Sequence, residues 1–339
     1  SDVPTANVFN CDIGSGTYAG INGNISADPL FLNAVSANFR LQAGSPCLDT
    51  GTSSGAPTFD IEGTLRPQGA GFDMGAYERY VLLNAIAFNE TRNMFPYASI
   101  QTAITAADPG DVIVVTPGVH DEGAEIVISK DITLSSTTGV STDVVISGGG
   151  SHRVFNVGYP VSITINGLTI SGGSVNGDSG GGFWLTANVR LALIDVIVTG
   201  NKAVGATARA GVGAIHCVDD SVTITATNCK FSGNNGTGGD KDYGAAGNGS
   251  GVAAGGTWAA TNCSFIGNNG NGGNVNRASA PGDYHAGYGG GVAVGGTWSA
   301  TNCSFIGNNG NGGYWGAAQE GDGGGVAASG TWNATNCTF

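Results

Sequence analysis

The side chains best suited to chemistry gather in one short stretch, His216-Cys217 followed by Asp219-Asp220. Asp195 lies about one repeat upstream and Asp178 in a nearby loop. Neighbouring carboxylates can divide general acid and base duties, and an imidazole beside them can carry a proton. Outward Asp is also common at turns, so the cluster reads first as turn residues and the sequence assigns no catalytic residue. A second set is the cysteines, seven in all, of which Cys229, Cys263, Cys303 and Cys337 recur once per repeat. There is no CxxC and no paired His, so no metal ligand set is assigned. A third set lies in three loops. Residues 236–250 carry Asp240, Lys241, Asp242 and Tyr243; residues 270–288 carry Arg277, Asp283, Tyr284 and His285; residues 310–322 carry Tyr314, Trp315, Glu320 and Asp322. Tyr and Trp beside carboxylates suit a sugar, a calcium ion, a neighbouring subunit or plain solvent. No cofactor is expected, and calcium is the one ion these loops could take.

A repeat positions all three sets. The word Gly-Gly-Gly-Val-Ala-Val-Gly-Gly-Thr-Trp-Ser-Ala-Thr-Asn-Cys-Ser-Phe from Gly289 recurs almost unchanged from Gly251 and from Gly323. Aligned copies give columns: Ile224, Trp258, Trp298, Trp332; Ala226, Ala260, Ala300, Ala334; Asn228, Asn262, Asn302, Asn336; Cys229, Cys263, Cys303, Cys337; and Phe231, Phe265, Phe305, Phe339. A further Asn column holds Asn234, Asn268 and Asn308. Upstream, Leu191, Leu193, Val196, Val198 and Asn201 keep the same offsets, as do Ile163, Ile165, Leu168, Ile170 and Gly173. The first column recurs at intervals of 28, 33, 34, 40 and 34 residues. Fixed words at a variable period mean a rigid unit with one elastic loop, stacked on copies of itself.

Stacked as parallel strands ~4.8 Å apart, identical residues would lie above one another. Trp, Ala, Cys and Phe then point inward, with a corner at Thr-Asn where the alternation breaks. The Asn columns sit at corners, where amides can bond along the stack and tolerate positive φ. Such spacing holds Cβ atoms wider than the ~3.8 Å a disulfide prefers, so the Cys column reads as small buried hydrophobes. The loops all leave one corner and should form a single ridge.

Composition bounds the function. Gly is 61 of 339 residues, far above the usual ~7%, without a Gly-X-Y period, and 40% hydrophobic content argues against disorder. A net charge of −13 disfavours nucleic acid and anionic membrane surfaces as partners. No run of ~20 apolar residues exists, so no membrane insertion is expected. Few charges with abundant Asn, Gly and Thr suit an extracellular or cell-surface protein.

Taken in order, residues 28–78 carry Asp28-Pro-Leu-Phe31, Asn38-Phe-Arg-Leu41, Gly44-Ser-Pro-Cys-Leu-Asp-Thr-Gly51, Asp60-Ile-Glu-Gly63, Arg66-Pro67 and Asp73-Met-Gly-Ala-Tyr-Glu78. This run resembles the C-terminal end of choice-of-anchor Q domain surface proteins, where it closes a right-handed parallel β-helix; here it comes first. Residues 96–110 read as a short amphipathic helix through Ile100, Ala103, Ile104 and Ala107, stopped by Asp-Pro-Gly. Residues 111–118 read as a buried strand and turn. The pair looks like the N-terminal cap and first strand of pectin-lyase-like β-helices. Strands are then expected over 125–129, 131–135, 143–147, 154–157, 161–165 and 167–171, with no second helix. The expected fold is all-β: a right-handed parallel β-helix with one short capping α-helix. Residues 1–78 form a closing segment, 79–110 a linker and capping helix, and 111–339 the stacked coils.

The resemblance raises the question of catalysis, because polysaccharide lyases and glycosidases share such a fold. The repeated strands carry almost no charge, so the expectation is a non-enzymatic structural solenoid, with a carbohydrate-binding or polysaccharide-degrading β-helix as the alternative. Register gives a sharper expectation. Ala6, Val8, Asn10, Cys11 and Ile13 fall at the Trp, Ala, Asn, Cys and Phe offsets, so the N-terminus spells the coil that would follow Trp332, Ala334, Asn336, Cys337 and Phe339. Either copies polymerise head to tail, one completing the β-helix of the next, or the sequence is one period of a tandem polypeptide. Both give a filament, sheath or stalk whose partners are other copies, with surface glycan as a further candidate partner.

Overall fold

In a computed structural model, the described residues are 8–339 except 15, 17, 35–37, 43, 62–65, 80–84, 92–94, 207–209, 219, 241–245, 247, 253–254, 275–287, 295, 313, 316–317, 320–322 and 329–330. Residues 1–84 and 85–339 form two compact units.

Residues 85–339 are a right-handed parallel β-helix. Each late coil begins on a five-residue strand such as Thr257–Thr261, where β-branched Thr faces out and Trp258 and Ala260 face in. Eight strands of this kind, from Asp111–Val115 to Thr331–Thr335, pair in parallel in one long sheet among the described residues. A corner follows at Asn228, Asn262, Asn302 and Asn336, whose φ values of 52° to 56° are left-handed. Asn tolerates that region because its short amide bonds locally. The break in alternation lets Cys263 and then Phe265 point inward again on a second sheet, as the sequence predicts. Glycines at 233, 267 and 307, at φ about 60°, make the next corner into a third sheet.

The third sheet packs against a fourth with almost nothing between them. In the strands Asn235–Thr237, Asn269–Asn271 and Asn309–Asn311 the inward residues are Gly236, Gly270 and Gly310. A methyl on Gly270 would fall on the carbonyl oxygen of Gly290, and one on Gly310 on that of Gly324. Glycine is required there by close backbone approach, not by a turn.

The expected capping helix runs over Ile100–Ala106, with Ser99 as N-cap accepting from the Thr102 N–H and Ile100, Ala103 and Ile104 buried. It is shorter than residues 96–110 because Phe95–Tyr97 is a strand. Ala87–Asn89 pairs antiparallel with both Phe95–Tyr97 and Asp111–Val115, so two short antiparallel strands extend the long sheet past its first parallel strand. The alternation there is too brief to read from the sequence. The strands expected over 131–135, 143–147 and 161–165 appear as Ile132–Ser136, Val144–Ser147 and Ser162–Asn166. No second helix occurs among the described residues.

Residues 1–84 have a small core of Leu41, Cys47 and Met74, with Ile25, Phe31 and Leu48 against it. So small a core leaves irregular backbone exposed to competition from water, and buried carboxylates stitch it. Asp73 accepts from the Asp49 and Arg79 N–H groups, Glu78 from those of Gln68 and Asp73, and Asp60 from that of Glu78. Arg66 lies 3.6 Å from Glu78 and donates to the Gly75 carbonyl. Burial raises the Asp73 carboxyl above its ordinary value, against the pull of those two N–H groups.

Candidate functional site

Stacking is what the repeated residues do. The Phe231, Phe265 and Phe305 rings lie 4.9 and 4.7 Å apart and 3° from parallel, and Phe339 continues the stack at 5.2 Å. Trp258, Trp298 and Trp332 follow at 4.7 and 5.3 Å. Each such ring pair contributes about 0.5–1.5 kcal/mol beyond its buried area.

Two polar ladders run beside the rings. At the outer corner Asn262 Nδ2 donates to Asn228 Oδ1 and Asn302 Nδ2 to Asn262 Oδ1, both at 3.2 Å. The inner ladder is buried: Asn234 Nδ2 donates to Asn268 Oδ1 at 3.0 Å and to the Val198 carbonyl, while the Asn234 N–H also reaches Asn268 Oδ1. The pattern repeats from Asn201 to Asn308, so each side-chain amide of this ladder finds a partner.

The cysteines form a third ladder. The Cys229 N–H donates to Cys263 Sγ, and that of Cys263 to Cys303 Sγ, both at 3.4 Å. Each thiol also points at the carbonyl two residues before it, 3.2 Å away for Cys229 and 3.3 Å for Cys263, Cys303 and Cys337. All seven cysteines are outside disulfides. The hydrogen bond with the Cys229 thiol, with burial, pushes Cys263 up to about 12; the contact with Cys263 and burial raise Cys303, and the contact with Cys263 lowers Cys229.

The same corner is built in the other unit. Asn10 has φ +50°, and the Cys11 thiol points at the Phe9 carbonyl, 3.2 Å away. Asn24 stands where the next cysteine would be. Its Oδ1 accepts from the Cys11 N–H at 2.9 Å, as Cys263 Sγ accepts from Cys229, and its Nδ2 donates to Val8 O, as Cys263 Sγ does to Ala226 O. The Ile25 N–H meets the Cys11 carbonyl as the Ser264 N–H meets that of Cys229, both at 2.9 Å. Asn10–Cys11 therefore forms a corner of the repeat's kind, with Asn24 stacked on it.

Among the residues expected at a stacking surface, Val8, Asn10 and Ile13 are half-buried and Cys11 is exposed. Trp332 and Cys337 are half-buried, and Ala334, Asn336 and Phe339 are exposed. Their equivalents one coil earlier, Trp298, Ala300, Cys303 and Phe305, are buried. Ala6 lies outside the described residues.

Of the expected loop ridge, Asp242, Tyr243, Asp283, Tyr284, His285, Glu320 and Asp322 also lie outside the described residues. At its base, Asp240 accepts from the Asn274 N–H at 2.6 Å, tying one loop to the next. Tyr314–Trp315 pairs antiparallel with Ala318–Gln319.

The charged cluster is arranged differently from the sequence expectation. Asp195 belongs to the Asn228 corner column, where its Oδ1 accepts from Asn228 Nδ2, whereas His216 lies on a different sheet, in register with Trp184 and Asn156. Asp220 is exposed and Asp219 is outside the described residues. The centre of charge is Arg153, which the sequence reading missed. Its Nη1 donates to Glu125 and its Nη2 to Asp178, both at 2.7 Å, and its guanidinium lies 5.6 Å from the Trp184 ring. Glu125, Arg153 and Asp178 are spaced 28 and 25 residues apart, near one coil, and that spacing in a charge-poor chain was the available signal. Burial pulls His216 down to about 4, so its imidazole is neutral at pH 7. Nearby, His152 Nε2 lies 2.9 Å from Asp121, whose carboxyl is lowered by the Gly123 N–H and then by His152. Among the described residues no group of three or more His, Cys, Asp and Glu is disposed to hold a metal, and no helix is long and apolar enough to cross a membrane.

No protein-family model and no curated protein matches the chain. Among solved structures it is similar to a crystal structure of a pectin methylesterase mutant in complex with a hexasaccharide, at 14% identity and a TM-score of 0.34, over 66% of this chain. The match spans 64% of the length of that chain.

Proposed function

We propose that this chain is a non-enzymatic extracellular structural β-solenoid that builds a filament, sheath or surface stalk by stacking copies head to tail. The observation that carries this reading is the corner at Asn10 and Cys11, which has the φ, the thiol contact and the onward hydrogen bonds of the repeat. Placed on residues 331–339 of another copy, it would continue the outer Asn ladder and the cysteine ladder. The Asn336 N–H would donate to the Phe9 carbonyl, the Cys337 N–H to Cys11 Sγ, and the Asp12 N–H to the Cys337 carbonyl. Main-chain bonding of this kind gives affinity, and the columns give register. Val8 and Ile13 would extend the Ala and Phe columns. The subunit contact is heterologous and does not close on itself, so growth is linear.

The alternative, a carbohydrate-binding or polysaccharide-degrading β-helix, would centre on Arg153. There Glu125 and Asp178 both serve as acceptors for one guanidinium, which leaves them poorly disposed as a general acid and base. The deciding experiment pairs intact mass with electron microscopy of the native protein. Fibres built from 33.6 kDa chains support the proposal. Single particles at high concentration contradict it, and a mass several times larger puts the stacking inside one polypeptide.

A further inference from the structure

The outer face of the long sheet is as regular as its inner one. In the strands Thr223–Thr227, Thr257–Thr261 and Thr297–Thr301 the second and fourth residues are buried, so the first, third and fifth face out. Parallel pairing without a slip sets Thr257 between Thr223 and Thr297, and Thr261 between Thr227 and Thr301. Thr331 and Thr335 continue both columns in register. The middle column holds the short side chains of Thr225, Ala259 and Ser299. Among the described residues none of these Thr hydroxyls has a protein partner. Threonine is a good strand former, but other outward columns of the same coils do not use it. Lys230, Ser264 and Ser304 occupy one on the second sheet, and Asn235, Asn269 and Asn309 one on the third. The Thr columns end one coil earlier, at Arg190 and Ile194.

We propose that this face binds ice. The ligand class follows from what the face offers and what it lacks. Nothing charged faces out from these three strands, in a chain with 25 acidic and 12 basic residues, so an ionic polymer finds no counter-charge there. No aromatic ring faces out to stack on a sugar, because Trp258 and Trp298 of the same strands point inward. What remains is an ordered array of hydroxyl and methyl groups. A Thr hydroxyl offers one donor and two lone pairs, its methyl restrains the water beside it, and branching at Cβ holds both in few rotamers. The array is also periodic, as a lattice requires. The corner after each strand has φ of 54° to 56° at Asn228, Asn262 and Asn302, and the Phe rings stay 3° from parallel. The outer amide ladder repeats at 3.2 Å and the thiol ladder at 3.4 Å. Successive late coils therefore repeat almost by translation, and side-chain ladders of this kind keep a sheet flat. Thr recurs every ~4.8 Å along the stack and every ~13 Å across it, with a short side chain midway. Both distances are close to whole multiples of the oxygen spacing on the faces of hexagonal ice. Each contact with water is weak, but a rigid array makes many at once with little cost of ordering. A single chain carries this face, so head-to-tail stacking is not required and would only lengthen it.

The test is thermal hysteresis and inhibition of ice recrystallisation by the full chain, for the unaltered protein and for Thr257→Tyr, Thr261→Tyr and Ser264→Tyr. Tyr suits a strand, but a ring standing out from the middle strand holds a flat lattice away. Ser264 lies on the outward side of the second sheet in the same coil and controls for the ring itself. The expected result is measurable hysteresis from the unaltered chain, about a tenfold loss with either Thr variant, and no loss with Ser264→Tyr. Far-UV circular dichroism and the thermal midpoint report folding, and Thr257→Lys and Thr261→Lys stand in for a Tyr variant that unfolds. No effect of the unaltered chain on ice overturns the proposal, and so does full activity in the folded Thr variants. Co-sedimentation with insoluble cellulose that the Thr variants abolish, without any effect on ice, would give the face to a polysaccharide instead.

Discussion

Early and late coils fill one lumen with different side chains. On the long sheet the early inward columns run through Ile132, Ile163 and Leu191 and through Leu134, Ile165 and Leu193; the late ones run through Trp258, Trp298 and Trp332 and through Ala260, Ala300 and Ala334. Two medium residues become one large and one small, so the volume per coil is roughly kept. Across the coil another column narrows from Val175 through Ala203 to Gly236, Gly270 and Gly310. The late coils thus gather their apolar bulk into rings on two sheets and let the other two close backbone on backbone. Aliphatic columns accept mixed neighbours, since Ile, Leu and Val pack in many relative poses. Flat rings at 4.7 Å and 3° accept best a ring like themselves. That selectivity accounts for the near-identical spelling of the late coils and the loose spelling of the early ones. It has a cost, because the indole N–H groups of Trp258 and Trp298 are buried without a hydrogen-bond partner.

Four perturbations test this contrast, taken from the largest expected effect. Gly270→Ala should prevent the late coils from closing, lowering the yield of folded protein, whereas Ala203→Gly in the same column should cost only about 1 kcal/mol; expression with limited proteolysis distinguishes them. Trp298→Ala should lower unfolding stability in denaturant by about 3–5 kcal/mol and Trp298→Phe by far less, because a phenyl ring keeps the stack and removes the stranded N–H. Asn268→Ala should cost about 3 kcal/mol, since the Asn234 N–H and the Phe231 carbonyl lose their amide partner in a buried place.

The fourth concerns pH. His216 has a folded value near 4, below its unfolded 6.5, so the unfolded chain binds its proton first and stability falls as pH drops from about 6.5 to 4. Allowing for the partial exposure of the ring, the loss is about 2 kcal/mol. His216→Gln should flatten that part of the stability profile, and an unchanged slope would refute the assignment.

The stack was legible because the repeat aligns residues that meet in space. Inward Trp, Ala, Cys and Phe, the left-handed Asn corner, the unbridged thiols and the helix through Ile100 and Ile104 all follow from period and parity. Arg153 was not legible in this way, because its partners sit one coil away in segments of different spelling, and charges carry no parity. Nor were the carboxylates at Asp60, Asp73 and Glu78, which bond to backbone N–H groups and so leave no complementary residue type to look for. Asp195 reads as a neighbour of Asp220 only while corners of the coil go undistinguished; its φ of 53° places it with Asn228.

The central claim, that one copy continues the ladders of the next, is tested most directly by thiol cross-linking between isotopically light and heavy copies. Equal amounts are mixed, treated with a short bifunctional maleimide and analysed by peptide mass spectrometry. The account predicts a dominant Cys11–Cys337 peptide pair with mixed light and heavy halves, its yield rising with protein concentration. Free alkylation of Cys11 and Cys337 at every concentration, with no mixed pair, would contradict it.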